Sequence, residues 1–374
     1  MRSLLPLPPS RVRTMTGDRR LGAGVVDPSL LACPAPLRHA TVQLAHGGGG
    51  RLTRELVERI FLPAFGSSAG AERHDCAVLE PPAGRIAFST DSYVVTPLFF
   101  PGGDIGKLAV YGTVNDLAMS GAVPRWISAS FVLEEGFSIA ELEKVARSMA
   151  EAAKSSGVEV VTGDTKVVDR GRGHGLYVTT AGIGVVPPGV EIRPANIRAG
   201  DALIVSGDLG RHGVAVLSVR EGLEFEGEIA SDCAPLSGLV CSLLEAGIEL
   251  HCLRDLTRGG LASALNELAL DAGLELVIDE AAVPVGDAVR GACELLGLDP
   301  LYVANEGRLV AFVRQAEAPR AQAVMRARAE GARAAVIGRV ERQGVSRGRV
   351  TARTPAGPTR LLELLSGEQL PRIC

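Results

Sequence analysis

The stretch Asp104-Ile105-Gly106-Lys107-Leu108-Ala109-Val110-Tyr111-Gly112-Thr113-Val114-Asn115-Asp116-Leu117-Ala118-Met119-Ser120-Gly121 reads as a helix of about four turns. Asp104 is suited to cap its N-terminus, and Gly121 to follow its last turn in a left-handed conformation. Ile105, Leu108, Ala109, Val114, Leu117 and Ala118 fall on an apolar face. Inside that pattern sits a polar pair, Asn115-Asp116.

Outward from this helix, apolar runs alternate between strand and helix periods. Upstream lie a helix from Leu52 to about Ile60 and short β runs at 76–79, 86–90 and 93–95. Downstream, strand 126–133 leads to helix 138–155, strand 158–162 and strand 176–185. Pro187-Pro188-Gly189 and the polar stretch to Gly200 mark a boundary. Beyond it the spacing predicts strands at 202–206, 274–278, 308–314, 335–341 and 349–353. Helices are predicted at 211–220, 235–246, 261–272, 285–296 and 319–329. The expectation is an α/β (α+β) chain of two mixed domains, 42–186 and 196–345. A C-terminal segment and tail fill 346–374. Residues 1–41, rich in proline and arginine, are read as a disordered extension; the apolar run behind Arg19-Arg20 is too short for an export signal.

Composition bounds the function. The chain has 374 residues, 46% hydrophobic and 22% charged, with net charge −4. No basic excess points to nucleic acid, and no run of 18 apolar residues points to a membrane. The seven cysteines have no C-x-x-C spacing, which argues against structural zinc and fits reduced thiols in a cytoplasmic protein. The last of them is the last residue, in Pro371-Arg372-Ile373-Cys374. A terminal thiol is either an accident of the surface or the head of a swinging arm.

Several residues carry a chemical reading beside a plainer one. Gly47-Gly48-Gly49-Gly50 before a helix can wrap phosphate oxygens with backbone N–H groups, or serve as a hinge; His46 stands beside it. Asp75, Asp91, Asp116 and Asp164 each end or interrupt an apolar element. Singly they read as caps or turns; together they suit a site where carboxylates hold magnesium ions bridging a nucleotide's phosphates. Lys166, two residues past Gly163-Asp164, is a solvated charge or a stabiliser of a transferring phosphoryl group. Glu306, in Asn305-Glu306-Gly307, is a turn residue or a positioned base. Arg258-Gly259-Gly260 opens a helix and is a phosphate contact or a simple turn.

Taken together, His46-Gly47-Gly48-Gly49-Gly50, Asn115-Asp116-Leu117-Ala118-Met119-Ser120-Gly121-Ala122, Gly163-Asp164-Thr165-Lys166, Arg258-Gly259-Gly260-Leu261, Asn305-Glu306-Gly307 and the terminal Pro-Arg-Ile-Cys resemble the HypE family. These are carbamoyl dehydratases of the aminoimidazole ribonucleotide synthetase superfamily. The resemblance covers about 42–374. It implies a homodimer joined through the first domains, with ATP and Mg²⁺ as cofactors. Gly48, Gly49, Asp91, Lys107, Asn115, Asp116, Gly163, Asp164, Arg258 and Gly259 would bind the nucleotide. Asp75, Asp91, Asp116 and Asp164 would hold metal. Cys374, Lys166 and Glu306 would carry the chemistry. HypF would load a carbamoyl group onto Cys374, and the product would pass to HypC–HypD for the iron of [NiFe]-hydrogenase.

The chain departs from that pattern in the 1–38 extension, in Asp75-Cys76 where two aspartates are expected, and in Asp255-Leu256-Thr257-Arg258 where Asp-Pro-Thr-Arg is. Two rivals stay open. A sister enzyme such as selenophosphate synthetase or thiamine monophosphate kinase would share the aspartates, and a thiol carrier would need none of them.

Overall fold

A computed structural model describes residues 39–66, 76–80, 82–223, 225, 227, 229–364, 370 and 373. Asp75, Cys374 and most of the extension lie outside them.

The chain enters through a 3-10 turn at Leu44–Gly47, helix α1 (Arg51–Leu56), a π turn at Val57–Phe61 and α2 (Leu62–Phe65). Strands β1 (Arg85–Tyr93), β2 (Phe99–Phe100) and β3 (Gly103–Asp104) lead into α3 (Ile105–Met119). Then follow β4 (Val123–Glu134), α4 (Ile139–Ser156), β5 (Glu159–Val168) and β6 (Leu176–Val186). The second lobe runs β7 (Asp201–Val205), α5 (Arg211–Glu221), α6 (Ser237–Glu245), β8 (Leu250–Asp255) and α7 (Gly260–Ala272). It continues with β9 (Leu274–Asp279), α8 (Asp287–Leu296), β10 (Leu309–Arg314), α9 (Ala318–Arg326), β11 (Ala335–Gln343), β12 (Arg349–Arg353) and β13 (Thr359–Leu362).

The first sheet has order β1-β6-β4-β5, with β4 and β5 parallel across the α4 crossover and the other pairs antiparallel. Among the described residues α3 and α4 cover one face, joined by Phe61, whose ring stacks on Phe131 of β4. Along β1, Ser89, Asp91 and Tyr93 turn toward α3 while Ile86 and Phe88 stay 59% and 66% exposed on the other side. Alternation of this kind marks a sheet packed on one side. The polar run Ser89-Thr90-Asp91-Ser92, which split the expected β1 in two, is paired with β6 without a break. Its hydroxyls find partners there: Thr90 Oγ1 donates to the Thr180 carbonyl at 2.9 Å and Ser92 Oγ meets Thr179 Oγ1 at 2.9 Å. Residues 76–79, expected as a strand, take no regular strand conformation and run into prolines.

Helix α3 begins as expected. The Asp104 carboxylate accepts from the Gly106 and Lys107 N–H groups at 2.8 and 3.1 Å, a cap worth about 1 kcal/mol. Its other oxygen accepts from Ser148 on α4 at 2.6 Å. The helix is buried nearly all round, because the first sheet covers one side and the second lobe the other: Ala118 and Met119 belong to the apolar cluster that includes Leu236, Leu239 and Ile204. Gly112 leaves the space that Tyr93 fills, since a Cβ there would stand 2.1 Å from the phenol oxygen.

The second sheet has order β13-β12-β9-β11-β7-β10-β8. Its interior strand β7 is buried throughout, with Leu203 and Val205 facing α7 and Ala202 and Ile204 facing α6 and α9. Strand β8 was not expected, because its charged end Arg254-Asp255 reads as a turn. It is the edge strand beside β10. Strands β12 and β13 join the same sheet, so its elements run to Leu362, beyond the boundary expected at residue 345.

Candidate active site

Two short segments from opposite lobes meet at α3. Tyr93 donates to Asp91 Oδ2 at 3.2 Å, and the Ser92 N–H donates to Asp91 Oδ1 at 3.0 Å. Ser89 Oγ donates to Asp116 Oδ2 at 2.6 Å. From the second lobe, β8 delivers Asp255 at its last position, and Arg258 Nη2 stands 3.5 Å from Asp91 Oδ1. Ser89, Asp91, Asp116, Asp255 and Arg258 line a cavity of about 760 Å³ together with Arg193, Arg254, Thr257 and Glu267.

The electrostatics follow from crowding acids into a covered place. Burial pushes the Asp116 carboxyl above its ordinary value and Asp91 adds to the push; the Ser89 hydrogen bond and the Arg254 and Arg258 guanidiniums oppose it. Burial raises Asp255 to about 7, helped by Asp116 and Asp91. Glu306 is driven well above the carboxylate range by burial first, then by Asp232, Asp255 and Asp91, with Arg258 pulling the other way. Its charged form is therefore disfavoured relative to that of a free carboxyl.

Glu306 is held by backbone. Its N–H and that of Gly307 donate to the two oxygens of Asp232, at 3.4 and 3.1 Å. Arg308 closes the loop: it donates to the Gly307 carbonyl, to the Asp208 carbonyl and, at 2.7 Å, to the Asp208 carboxylate. Asn305 braces the other side, accepting from the Gly210 N–H at 2.7 Å and donating to the Leu256 and Val303 carbonyls. The Glu306 side chain is 3% exposed, and its Oε1 is buried without a hydrogen-bond partner. Lys107 lies near enough to act electrostatically on the buried Cys233 thiol, as do Glu306, Asp232 and Asp104.

The remaining expected residues lie apart. Gly49 and Asp164 line a second cavity of about 430 Å³ with Thr53, Phe61 and Phe131. Gly49 has φ +76° and its N–H donates to Thr53 Oγ1 at 2.9 Å; Gly48 closes the preceding 3-10 turn, donating to the Ala45 carbonyl. Gly163 lets β5 pass β4, because a Cβ there would stand 2.3 Å from the Ala129 carbonyl oxygen. Asp164 and Lys166 project to the open face of the sheet, the face opposite Asp91. The row Ser92–Thr179–Ser130–Asp164 shows three strand spacings between the β1 and β5 edges, roughly 14 Å.

Several groups are engaged on protein. Asn115 accepts from the Leu236 N–H at 2.7 Å and donates to the Ala234 carbonyl at 3.1 Å, so its amide ties α3 to the second lobe. His46 accepts from the Gln43 N–H at 2.9 Å and caps its own turn; burial lowers its pKa. At the start of α7, where Gly259 has φ +72°, the Gly260 and Ala262 N–H groups donate to the Thr257 and Leu301 carbonyls. The Arg258 guanidinium, rather than that helix end, faces the cavity. Sequence reading missed Asp255, Asp232 and the Asp208–Arg308 pair. Asp255 stood in a quoted motif, Asp255-Leu256-Thr257-Arg258, and its fit to that motif was the only available signal.

Among the described residues no three His, Cys, Asp or Glu side chains gather as a metal-holding group. Asp91 and Asp116 form a carboxylate pair. Magnesium is commonly held by one or two carboxylates completed by phosphate and water, so the all-oxygen pair fits that ion. No helix among them is long and apolar enough to cross a membrane.

Residues 73–186 match the family model of the AIR synthase related protein N-terminal domain, and residues 198–351 that of the C-terminal domain. The carbamoyl dehydratase HypE of Rhodobacter capsulatus is 54% identical over 341 residues, covering 90% of this chain and 99% of its own. A crystal structure of hydrogenase maturation protein HypE in complex with ATP superposes with TM-score 0.85 at 46% identity, covering 88% of this chain and 99% of that one. A chain of a HypE–HypF complex superposes with TM-score 0.72 at 43% identity, covering 84% and 100%.

Proposed function

The chain belongs to the carbamoyl dehydratase HypE family of AIR synthase related proteins, and from that premise we propose that it dehydrates a carbamoyl group carried on its own Cys374 thiol, using ATP. The product, a protein-bound thiocyanate, would supply cyanide to the iron of [NiFe]-hydrogenase. The observation that supports this reading most is a cavity large enough for a nucleotide lined by Asp91, Asp116 and Asp255, with the buried Glu306 close enough to feel Asp255 and Asp91. Burial pushes the Asp116, Asp255 and Glu306 carboxyls up in pKa. Such a place gains when positive charge arrives, and Mg²⁺ accompanying ATP is that charge.

The chemistry asks for little covalent work by the protein. The amide oxygen of S–C(=O)–NH₂ attacks the γ-phosphorus and ADP leaves; an N–H proton is lost, giving S–C(–OPO₃²⁻)=NH. Loss of the second N–H proton and of phosphate then leaves S–C≡N. Asp91 and Asp116 would hold Mg²⁺, which supplies charge neutralisation at the phosphates. Arg258 and Lys166 would stabilise negative charge on the transferring group.

Burial disfavours the charged form of Glu306, and only the deprotonated carboxylate can take an N–H proton. A cation bound near Asp91 would lower its pKa and prepare it as the base. Burial of the loop around it limits hydrolysis of the activated group. HypF would load the carbamoyl group, and HypC–HypD would take the product. The exposed sheet face with Ile86 and Phe88 supports a homodimer through the first lobe.

The direct test is the mass of the C-terminal peptide after incubation with carbamoyl phosphate, HypF and ATP. The expected sequence is a gain of carbamoyl mass followed by ATP-dependent loss of one water. Cys374→Ala should abolish both while leaving ATP binding intact. Carbamoyl gain with no later loss of water would overturn the dehydratase reading.

A further inference from the structure

We propose that His212, steadied by Ser231, is a positioning residue that seats the penultimate peptide of the chain through the Ile373 carbonyl. His212 is the second residue of α5 and fully buried. Its Nε2 lies 2.6 Å from the Ile373 oxygen and its Nδ1 lies 2.9 Å from Ser231 Oγ. A carbonyl can only accept, so Nε2 carries the hydrogen. In the neutral imidazole Nδ1 is then the acceptor, and the Ser231 hydroxyl donates to it. Burial lowers the pKa of His212, against the pull of Asp232, which keeps that neutral form. Ser231 is itself fixed: its N–H donates to the Pro101 carbonyl at 2.8 Å, and its Oγ accepts from the Cys233 N–H at 3.1 Å. The Phe100 ring meets the imidazole edge to face at 5.4 Å.

The seat has an apolar half. Ile373 is 5% exposed, and Leu370 packs against the cluster of Val214, Ala215, Ile229, Val289 and Val303. Gly213, next to His212, makes the room: a Cβ there would stand 2.5 Å from Val303 Cγ1 and 3.0 Å from Leu370 Cδ1. Two apolar anchors three residues apart and a carbonyl hydrogen bond together specify the chain end, where one alone would be a chance contact.

What this seat adjoins gives it a role. Ser231 holds His212, and the next residue, Asp232, holds the Glu306 and Gly307 N–H groups. One continuous segment therefore braces both the chain end and the loop of the proposed base. The oxygen that His212 binds shares a peptide group with the Cys374 nitrogen. Recognition stops one peptide short of the sulfur, so it is indifferent to whether the thiol is free, carbamoylated or cyanated. This inference rests on the dehydratase reading only for the identity of the cargo.

The test uses the full chain and does not need catalysis. The alkylation rate of Cys374 by iodoacetamide, followed by mass of the C-terminal peptide, is compared in wild type, His212→Phe, His212→Gln and Ser231→Ala, with amide exchange across α5 and α8 as a fold control. His212→Phe should raise the rate about tenfold with unchanged exchange elsewhere. His212→Gln, which retains a donor, should restore part of the protection, and Ser231→Ala should show a smaller rise. If His212→Phe loosens α5, Ser231→Ala carries the comparison alone. Unchanged alkylation in variants with intact exchange overturns the seat. Protection lost in the variants together with no dehydration by the wild type keeps the seat and removes the dehydratase reading; dehydration with unaltered protection does the reverse.

Discussion

Replacing Asp255 by asparagine should make the protein more stable, and increasingly so as pH rises. In the fold the Asp255 carboxyl is raised to about 7 from an ordinary 3.8, by burial first and then by Asp116 and Asp91. Between those two values the folded chain holds a proton that the unfolded chain has released. The favourable contribution is therefore complete below about pH 4 and is lost as pH rises through 7. The two values differ by about three pH units, which at 1.36 kcal/mol each sets a ceiling of about 4 kcal/mol. Asp255 retains some solvent exposure, and its charge is shared with Asp91 and Asp116, so about half that ceiling is the working expectation. Asparagine keeps the shape and removes the charge. Unfolding by urea, followed from pH 4 to pH 8.5, should give curves that coincide near pH 4 and separate by about 2 kcal/mol at pH 8.5. Adding Mg²⁺ and ATP should narrow the gap by stabilising the wild type more, because cations relieve the same repulsion. Parallel curves across the whole range would refute the reasoning.

Glu306→Gln should fold at least as stably as wild type at pH 8, since it removes a carboxyl whose charged form burial disfavours, while the dehydration step slows by roughly 10²–10⁴-fold. Full activity in a single-turnover assay of the carbamoylated chain would remove Glu306 from the chemistry. Gly163→Ala brings a Cβ within 2.3 Å of the Ala129 carbonyl oxygen, so β4 and β5 must separate. A loss of about 1–3 kcal/mol by chemical unfolding is expected, and an unchanged midpoint would mean that the strands have slack.

Helix α3 was legible because its cap, its end and its apolar spacing are local. Its burial on both sides was not, since nothing within 104–121 announces the second lobe. Asn115 shows why: its amide reads as ligand-like in sequence, yet it is held by Ala234 and Leu236, the former 119 positions away. Asp255 is similar. It is unremarked in its own turn and becomes unusual only beside Asp116 and Asp91, which arrive from the other lobe. Strand β1 was misdivided because Ser89-Thr90-Asp91-Ser92 has turn composition; cross-strand hydroxyl pairing outweighed it. The assignment of who holds whom depended on contacts between distant segments.

The disposition of the two cavities bears on how many chains make one site. Asp91 and Asp116 work between the sheet and α3; Asp164 and Lys166 stand on the sheet's open face, three strands away. A lysine side chain spans about 6 Å, far less than the roughly 14 Å between those edges, and the sheet itself intervenes. One chain therefore cannot direct both sets at a single triphosphate through its own sheet. A second copy pressed against the open face could, by offering its own edge to the first chain's cavity. The exposed Ile86 and Phe88 on that face are what such contact would cover. On this argument the homodimer is a condition for the proposed chemistry more than an accessory to it. The proposed tail seat at His212, by contrast, uses contacts within a single chain: His212 meets the Ile373 carbonyl, and Asp232, one residue past Ser231, holds the Glu306 N–H.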